Sequence, residues 1–215
     1  MELIDRYQQA AMDLLFKART TQRENIEKVG KIVAEAVEGG HKIYLGKICH
    51  DIEMDLFNRG GGPAFYQLYK EGETELKPGD VLFVSSVSGR TAKVVDLAYK
   101  SMQEGIKVIA LTSLVYAQAV EPVHESGKRL HEFVTAYLDN CAPAAEAMLE
   151  VDGLEARFAA ASGLASCFIM WSVTAIAVET MLKDGYTPGV FMSINFPGGK
   201  EFYDKAIEHY KEFGW

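Results

Sequence analysis

The chain has 215 residues, of which 48% are hydrophobic and 24% are charged, and this suits a single globular domain with a sizeable core. Its formal net charge of −8 argues against nucleic acid and anionic membranes as partners, because both would need a basic surface. Three cysteines without CxxC or zinc-type spacing indicate a reducing compartment. Since no signal-peptide pattern opens the chain, we expect a cytoplasmic protein.

The N-terminal part of the sequence predicts helices. Apolar residues recur at helical spacing across residues 2–37, and the Gly39–Gly40 pair ends this stretch. We interpret residues 1–38 as an N-terminal helical extension of a single domain that covers residues 1–215. The elements that follow are a short strand at 41–45, a loop at 46–50, a helix at 51–59 and a strand at 64–69.

Strand and helix alternate in the rest of the chain. Residues 81–85 form a continuous apolar run, which is typical of a buried parallel strand. Because each connection between strands has room for a helix, residues 39–215 predict a three-layer, doubly wound α/β sandwich. The remaining elements are a helix at 91–104, a strand at 107–112, a last strand at 133–138, and helices at 158–182 and 200–213.

One segment has the length and composition of a membrane span. Residues 158–178 carry no charge over about 20 residues, which is the length that a spanning helix needs. The segment is rich in Ala, Ser and Gly, and Arg157 and Glu179 flank it directly. These features favour a buried helix in the core or at a subunit interface, so we expect no membrane partner.

The segment from Val81 to Thr91 carries the clearest functional signal. An apolar strand runs directly into hydroxyl residues and a glycine, and a helix then begins. A helix N-terminus presents unpaired backbone N–H groups, and a glycine lets the backbone approach a ligand closely. The alternative is that Ser88 or Thr91 serves only as a helix N-cap. The residues that we expect to bind a phosphate are Ser86, Ser88, Gly89 and Thr91.

Two common nucleotide-binding motifs are missing from the sequence. Neither GxxxxGK[ST] nor GxGxxG occurs, so nucleotide binding by those routes is not supported. We therefore expect a site that uses no metal and no other cofactor.

The segment around the hydroxyl-rich loop resembles the SIS (sugar isomerase) domain of phosphosugar isomerases and phosphosugar-sensing proteins. The resemblance rests on the SxSGxT loop, followed at the family's spacing by a helix and the strand segment Gly105–Ser113. Three further segments resemble an uncharacterised bacterial branch of this family, related to phosphoheptose isomerases: His124–Leu130, Asp139–Pro143 and Phe191–Ser193 with Gly198–Gly199. The resemblance implies a flavodoxin-like fold with a five-stranded parallel sheet. It also implies a phosphorylated or similar anionic sugar as ligand, and a homodimer or homotetramer.

The first loop departs from the small residues that are usual in this family. Alignment on Arg59 places Cys49 where the family has a loop serine, and Asp55 where phosphoheptose isomerases have a glutamate base. Lys47 replaces a small residue, and it either binds the anionic end of the substrate or is an exposed surface lysine. The candidates for substrate binding are Lys47, Cys49, His50 and Asn140.

Three residues are candidates for catalysis of proton transfer between adjacent carbons, a reaction that needs a base near neutral pH: Asp55 and His124 are the best candidates, and His50 in the first loop is the third. The resemblance implies Asp55 as a base, and His124 follows the fourth strand in a segment similar to the family's. The alternatives are that Asp55 is a solvated carboxylate and that His124 braces its own loop through Ser126. The helix at 158–182 contains no histidine and cannot supply the family's other catalytic histidine.

These observations predict an enzyme, a metal-free isomerase that acts on a sugar phosphate. Two alternatives stay open: a phosphosugar sensor that binds without turnover, and a lyase or deaminase that acts on an amino-sugar phosphate. The altered first loop and the missing histidine favour a sensor, whereas the lack of a DNA-binding segment weakens that alternative.

Overall fold

Two N-terminal helices open the fold. The computed structural model describes residues 1–47 and 49–215, and the side chain of Cys49 lies outside the described part. Helix α1 (Leu3–Thr21) is followed by α2 (Arg23–Glu38), and Gln22 separates them. The inner face of α2 is buried through residues such as Val29, Val33 and Val37. The predicted helical extension is therefore two helices that belong to the core of the domain.

A five-stranded, all-parallel sheet forms the centre of the molecule, with the strand order β2-β1-β3-β4-β5. Ile43 in β1 lies between Tyr66 of β2 and Val81 of β3, and Val81 pairs on its other side with Lys107 of β4. Every residue of β3 is buried, which explains why its sequence is continuously apolar. The predicted parallel α/β sheet is confirmed. Its strands are β1 (Ile43–Leu45), β2 (Tyr66–Leu68), β3 (Val81–Ser85), β4 (Lys107–Thr112) and β5 (Ala136–Asp139).

Helices cover both faces of this sheet. On one face, α1, α2 and a long C-terminal helix pack against strand residues such as Phe83 and Ile109. On the other face, Val95 and Ala98 of α4 pack against Leu82. The three layers of the predicted sandwich are thus present. The remaining helices are α3 (Glu53–Leu56), α4 (Ala92–Gln103), α5 (Leu114–Gln118), α6 (Ser162–Lys183) and α7 (Gly199–Phe213).

The apolar helix α6 has one face in the core and crosses α2 closely. A Cβ atom on Gly30 of α2 would lie 2.5 Å from Cγ2 of Ile176 on α6, so only a glycine permits this approach. By length and composition α6 also fits a membrane span, but it packs here as part of a globular α/β domain.

Several element boundaries differ from the sequence-based expectations, and two of these differences are more than a shift at the end of a strand. Residues Phe158–Ala160 form a strand, β7, which pairs antiparallel with β6 (Ala147–Leu149), so the long helix begins at Ser162 rather than at 158. The helix expected at 51–59 is limited to Glu53–Leu56, because Phe57 has an extended backbone. Both differences arise from pairing or backbone geometry that apolar periodicity does not encode.

Candidate functional site

Two loops meet where the sheet changes its winding direction. The chain leaves β1 towards β2 on one side and leaves β3 towards β4 on the other, so the neighbouring strands β1 and β3 form a switch point. In sheets of this kind ligands bind beyond the carboxyl ends of the strands at such a point. We call residues 46–51 the β1 loop and residues 86–91 the β3 loop. Both lie at this end of the sheet.

The β3 loop is held by hydrogen bonds to β4 and to the segment before β5. The Ser86 N–H donates to the Leu111 carbonyl at 3.2 Å, and the Leu130 N–H donates to the Gly89 carbonyl at 2.8 Å. The Val87 carbonyl accepts from the Ser113 N–H at 2.9 Å. These bonds fix the loop from behind and leave its outer side to face the β1 loop.

Gly89 cannot carry a side chain at its position in the β3 loop. Its φ is +66°, and an added Cβ would lie 3.1 Å from the Ala117 Cβ and 3.3 Å from the Thr112 Oγ1. Left-handed backbone and a tight contact together require glycine here. The sequence analysis predicted Gly89 as part of this loop. Its close contacts with Ala117 and Thr112 are visible only in the folded structure.

The hydroxyls of Ser86 and Thr91 form a pair in the loop. Their Oγ atoms are 2.9 Å apart, and the Thr91 N–H donates to Ser86 Oγ at 3.2 Å. Thr91 is the N-cap residue of α4, but its hydroxyl makes no capping hydrogen bond. The hydroxyl of Thr91 is therefore directed to Ser86 rather than consumed as a helix cap.

Backbone donors are also available where α4 begins. Among the residues that the structure describes, none accepts a hydrogen bond from the N–H groups of Ser88, Arg90 or Ala92. The N-terminus of this 12-residue helix adds a partial positive charge at the same place. Hydroxyl and N–H donors next to a positive helix end are suited to an anionic group.

A pocket of about 430 Å³ lies between the two loops. Four predicted site residues line it together: Lys47 and His50 from the β1 loop, and Ser86 and Thr91 from the β3 loop. Ser88 and Gly89 belong to the same loop but do not line the pocket. Asp51 and Ser85 also line the pocket, although the sequence analysis did not predict them as site residues. The sequence indicated them only in that each lies next to a predicted residue, His50 or Ser86. The complete lining is Lys47, His50, Asp51, Ser85, Ser86, Val87, Thr91 and Val94.

The β1 loop combines charged side chains with an unusual backbone. Gly46 begins it with an N–H bond of 2.8 Å to the Phe83 carbonyl, and a Cβ there would lie 2.6 Å from that oxygen. His50 and Asp51 have positive φ values of 56° and 66°. Left-handed backbone at two adjacent non-glycine residues is costly, and such conformations cluster at functional sites. The side chain of Cys49, another predicted site residue, lies outside the described part of the chain.

Asp55 lies outside the lining of this pocket and joins α3 to α6. Its Oδ2 atom accepts from the Trp171 Nε1–H at 3.0 Å and from the Cys167 thiol at 3.1 Å. Its Oδ1 atom forms an ion pair with Arg59. Burial raises the pKa of the Cys167 thiol, so this sulfur stays protonated and can donate to the carboxylate. These contacts give Asp55 a bracing role between two helices.

His124 also lies away from the pocket. Its Nδ1 atom is 2.8 Å from Ser126 Oγ, and its Nε2 atom is 3.9 Å from Asp96 Oδ1 on α4. The hydrogen bond from Lys100 holds the pKa of the Asp96 carboxyl below its usual range. The side chain of His124 is only 7% exposed. The bracing alternative that the sequence left open for His124 agrees with these contacts.

Asn140 follows β5 inside the protein rather than at the pocket. It is fully buried, its Nδ2 atom donates to Ser166 Oγ at 3.3 Å, and its Oδ1 atom accepts from the Ala142 N–H at 3.2 Å. Its neighbour Cys141 is buried, and burial raises the pKa of that thiol. Asn140 therefore connects the end of β5 to α6.

A larger groove of about 530 Å³ lies between Gly60 and α7, but its two charged lining side chains, Lys200 and Asp204, pair with each other at 2.6 Å. This pairing leaves the described lining of the groove without an uncompensated charge for a ligand. Among the described residues, no three His, Cys, Asp or Glu side chains are grouped in a way that suits a metal ion.

A family model described as SIS domain matches residues 65–113. This range runs from β2 through the β3 loop to the end of β4, so it contains the half of the pocket that carries the hydroxyl pair. The chain therefore carries a segment of 49 of its 215 residues that matches the SIS domain, in agreement with the resemblance that the sequence predicted.

The chain belongs to the UPF0309 family. It is 33% identical over 218 residues to the UPF0309 protein lmo0025 of Listeria monocytogenes, with 92% of each chain covered. It is 30% identical over 240 residues to the UPF0309 protein ABC0887 of Shouchella clausii, with 98% of each chain covered. The similarity therefore extends over both loops of the pocket and over the helices that surround it.

Solved structures with the same fold have diverse functions. The sugar isomerase domain of an RpiR transcription factor from Sphaerobacter thermophilus matches with a TM-score of 0.56 at 14% identity, covering 99% of each chain. Phosphoheptose isomerase GmhA from Neisseria gonorrhoeae gives 0.55 at 12% identity, covering 81% of this chain and 94% of that one. The NanR protein of Vibrio vulnificus, complexed with ManNAc-6P, gives 0.53 at 15% identity, covering 97% and 69%. At these identities the comparisons establish the fold alone.

Proposed function

We propose that the protein binds a phosphorylated sugar in the pocket between the β1 and β3 loops. The observation that carries this proposal is the Ser86–Thr91 hydroxyl pair, which lines the pocket at the N-terminus of α4. One hydroxyl of the pair donates to the other, so the remaining O–H and the nearby backbone N–H groups are the donors for phosphate oxygens, and the helix end favours negative charge. The SIS domain match over residues 65–113 supports the same ligand class.

The opposite wall of the pocket suits the rest of such a ligand. Lys47 lines the pocket and brings a positive charge to the anionic end of the sugar phosphate or to a second anionic group. The volume of about 430 Å³ lies within the range of small-molecule sites. The β3 loop therefore holds the phosphate, and the β1 loop brings Lys47 to an anionic group of the ligand and His50 to its carbon skeleton.

We further propose that the protein interconverts an aldose and a ketose phosphate. A base removes the proton from the carbon next to the carbonyl while the carbonyl oxygen takes up a proton, which gives an enediol. The neighbouring hydroxyl then gives up its proton to become the new carbonyl, and the base returns the carbon-bound proton to the former carbonyl carbon. No atom or electron is gained or lost, so the reaction needs no co-reactant. His50 is the pocket residue best suited to this step, because imidazole accepts and returns protons near neutral pH.

A second candidate is a binding module that holds a phosphosugar without converting it. The contacts of Asp55 and His124 favour this alternative, since both are engaged with other parts of the chain outside the pocket. Such a module would use the same phosphate contacts and differ only in having no base at the sugar.

A ligand screen followed by an exchange experiment tests both candidates. Thermal-shift assays with a panel of sugar phosphates identify a ligand, and NMR in deuterated water then follows deuterium at the carbon next to its carbonyl. We expect deuterium incorporation in the parent, its loss in His50→Gln, and its retention in His124→Gln. Tight binding without deuterium in the parent supports the binding module instead. Failure of every sugar phosphate to bind contradicts both candidates.

A further inference from the structure

Asp51 is the one acidic side chain in the described lining of the pocket, and the proposed function leaves it unused. The same lining holds one cation, Lys47, together with His50 and the hydroxyls of the β3 loop. A carboxylate beside a phosphate site lowers the affinity for the phosphate unless another group compensates it, because like charges repel. A phosphate alone therefore does not account for an acidic residue at this position.

The carboxylate of Asp51 is not neutralised within the part of the chain that the structure describes. Its side chain is exposed and makes no hydrogen bond or ion pair with another described residue. Lys47 precedes it by four positions and lines the same pocket, yet the ammonium nitrogen and the carboxylate oxygens are more than 4.0 Å apart. Both charges of the β1 loop are therefore available to a ligand.

Another carboxylate, four positions further along the chain, shows the contacts of a structural role. Asp55 accepts hydrogen bonds from Trp171 and from Cys167, and it forms an ion pair with Arg59. Asp51 has no contact of this kind with the described residues. A bracing role, which explains the first carboxylate, does not explain the second.

The backbone that carries Asp51 is held in an unusual conformation. The φ values of His50 and Asp51 are 56° and 66°, in the left-handed region. Asp and Asn adopt this region more readily than most other residues with a side chain. Helix α3 follows directly, and its residues Glu53 and Leu56 are buried, which anchors the end of the loop. A strained conformation persists only where the surrounding structure holds it, so the fold fixes Asp51 at the pocket.

We infer that Asp51 is a specificity-determining residue, which selects a sugar phosphate with hydrogen-bond donors at the end away from the phosphate and rejects one with a second anionic group there. This inference rests on the proposed function, since it takes the phosphate to lie at the β3 loop. Lys47 and the N-terminus of α4 compensate that phosphate, so no other cation of the described lining remains for a second one. Sugar hydroxyls, or an ammonium in place of one of them, can donate to the carboxylate oxygens.

The expected order of affinities follows from charge. Asp51 attracts an ammonium at the far end of the sugar, accepts a hydrogen bond from a hydroxyl, and repels a carboxylate or a second phosphate. Two unit charges about 4 Å apart in water change an affinity by about 5-fold. A ligand with an ammonium should therefore bind more tightly than one with a hydroxyl, and a ligand with a carboxylate more weakly. Specificity of this kind needs the repulsive contact as well as the attractive one.

Calorimetric titration with three matched probes at neutral pH tests this order. The probes are glucosamine, glucose and gluconate, each with a phosphate on its terminal carbon, so that an ammonium, a hydroxyl and a carboxylate are compared at the far end. In the parent we expect glucosamine phosphate to bind about 25-fold more tightly than phosphogluconate, with glucose phosphate between them. Asp51→Asn removes the charge and keeps a residue that suits the left-handed backbone. In this variant we expect the ratio to fall to about 2-fold or less.

The matched control is Asp152→Asn, which removes the same charge from the exposed segment between β6 and β7 and should keep the order of the parent. The same ratio in the parent and in Asp51→Asn, or no preference in the parent, overturns the inference. Loss of turnover in Asp51→Asn at an unchanged ratio would make Asp51 a catalytic residue and overturn it as well.

Inorganic phosphate separates a failure of this inference from a failure of the proposed function. If phosphate binds to the parent and Ser86→Ala weakens that binding, the phosphate site at the β3 loop stands, and the three probes then decide the role of Asp51 alone. If neither phosphate nor any of the probes binds, the proposed function is wrong and the inference falls with it.

Discussion

The β3 loop and the β1 loop line the same pocket but are built differently. The β3 loop is buried at Ser86 and Gly89 and is tied to β4 and to Leu130 by backbone hydrogen bonds. The β1 loop presents Lys47, His50 and Asp51 as exposed side chains, and none of the three forms a hydrogen bond or ion pair with another described residue. One wall of the pocket is thus fixed by its neighbours, whereas the side chains of the other are open to a ligand.

This difference separates two tasks of a ligand site. A phosphate group is the same in every sugar phosphate, so a rigid wall of hydroxyl and N–H donors serves all such ligands. The sugar itself varies, and a wall of exposed, charged side chains can change in sequence without disturbing the sheet. We therefore expect changes in the β3 loop to affect binding of every ligand, and changes in the β1 loop to affect selectivity and turnover.

The largest effect is expected from Gly89→Ala. The substitution strains a residue with φ of +66° and pushes a methyl group against Ala117 and Thr112. The hydroxyl and N–H donors of the β3 loop must therefore shift. Loss of even two hydrogen bonds to a charged group lowers affinity by about 100-fold or more. Calorimetry with the ligand from the screen measures this loss. Gly72→Ala is the control, because its φ is +75° with no atom within 4 Å, and it should keep full affinity.

The hydroxyl pair should give the next largest effect. Ser86→Ala and Thr91→Val each disrupt the hydroxyl pair and its one free O–H donor, and each should weaken binding about 10-fold, as expected for a hydrogen bond to an anion. Their effects should not add, because the two hydroxyls are 2.9 Å apart and interact directly. Ser113→Ala removes a hydroxyl that caps α5 outside the pocket, so it should lower stability and leave affinity unchanged. If Ser86→Ala and Thr91→Val both bound the ligand with unaltered affinity, the proposal that the β3 loop binds the phosphate would be wrong.

Asp55→Asn distinguishes a brace from a catalytic base. The carboxylate holds Arg59, Cys167 and Trp171, so the amide should lower the free energy of unfolding by about 1–2 kcal/mol, as measured by urea titration. Ligand affinity should change by less than about 2-fold, since Asp55 does not line the pocket. Loss of turnover at unchanged stability and affinity would instead support the catalytic role that the family resemblance implies.

The smallest effect is expected from Lys47→Gln in the β1 loop. An exposed ammonium near a phosphate contributes about 1 kcal/mol in water, so affinity should fall about 5-fold. Added salt should weaken ligand binding by the parent, because ions screen the attraction between the Lys47 ammonium and the phosphate. Salt should have less influence on the variant, which lacks this ammonium. Lys93→Gln on the exposed face of α4 is the comparison, and it should resemble the parent in both measurements.

Much of this fold could be predicted from local sequence. The run Val81–Ser85 predicted a buried parallel strand because a strand covered on both faces must be apolar throughout. The turn from this strand into α4, with its hydroxyls and Gly89, could be selected as a candidate anion site from chemistry that lies within one short segment. Loops and strands of this kind depend on near neighbours in the chain, so their signals are local.

The side of the pocket that the β1 loop forms could be predicted only in part. Lys47 and His50 were selected from their loop, and the structure places both at the pocket, whereas Asp51 carried no distinguishing signal. Family alignment selected Asp55 and His124, but their partners lie on α6 and α4, at distances along the chain that no local pattern records. The β6–β7 hairpin was missed for the same reason, because its strands are short and pair across a loop.

By itself, the sequence therefore determined the alternation of strands and helices, the hydroxyl-bearing turn and the apolar character of α6. Only the tertiary structure decided which charged residues share a pocket, and that α6 packs against α2 in the core of the domain. The physical reason is range. Backbone propensity and apolar period act within a few residues, whereas a pocket or a surface forms from segments that the folded chain brings together.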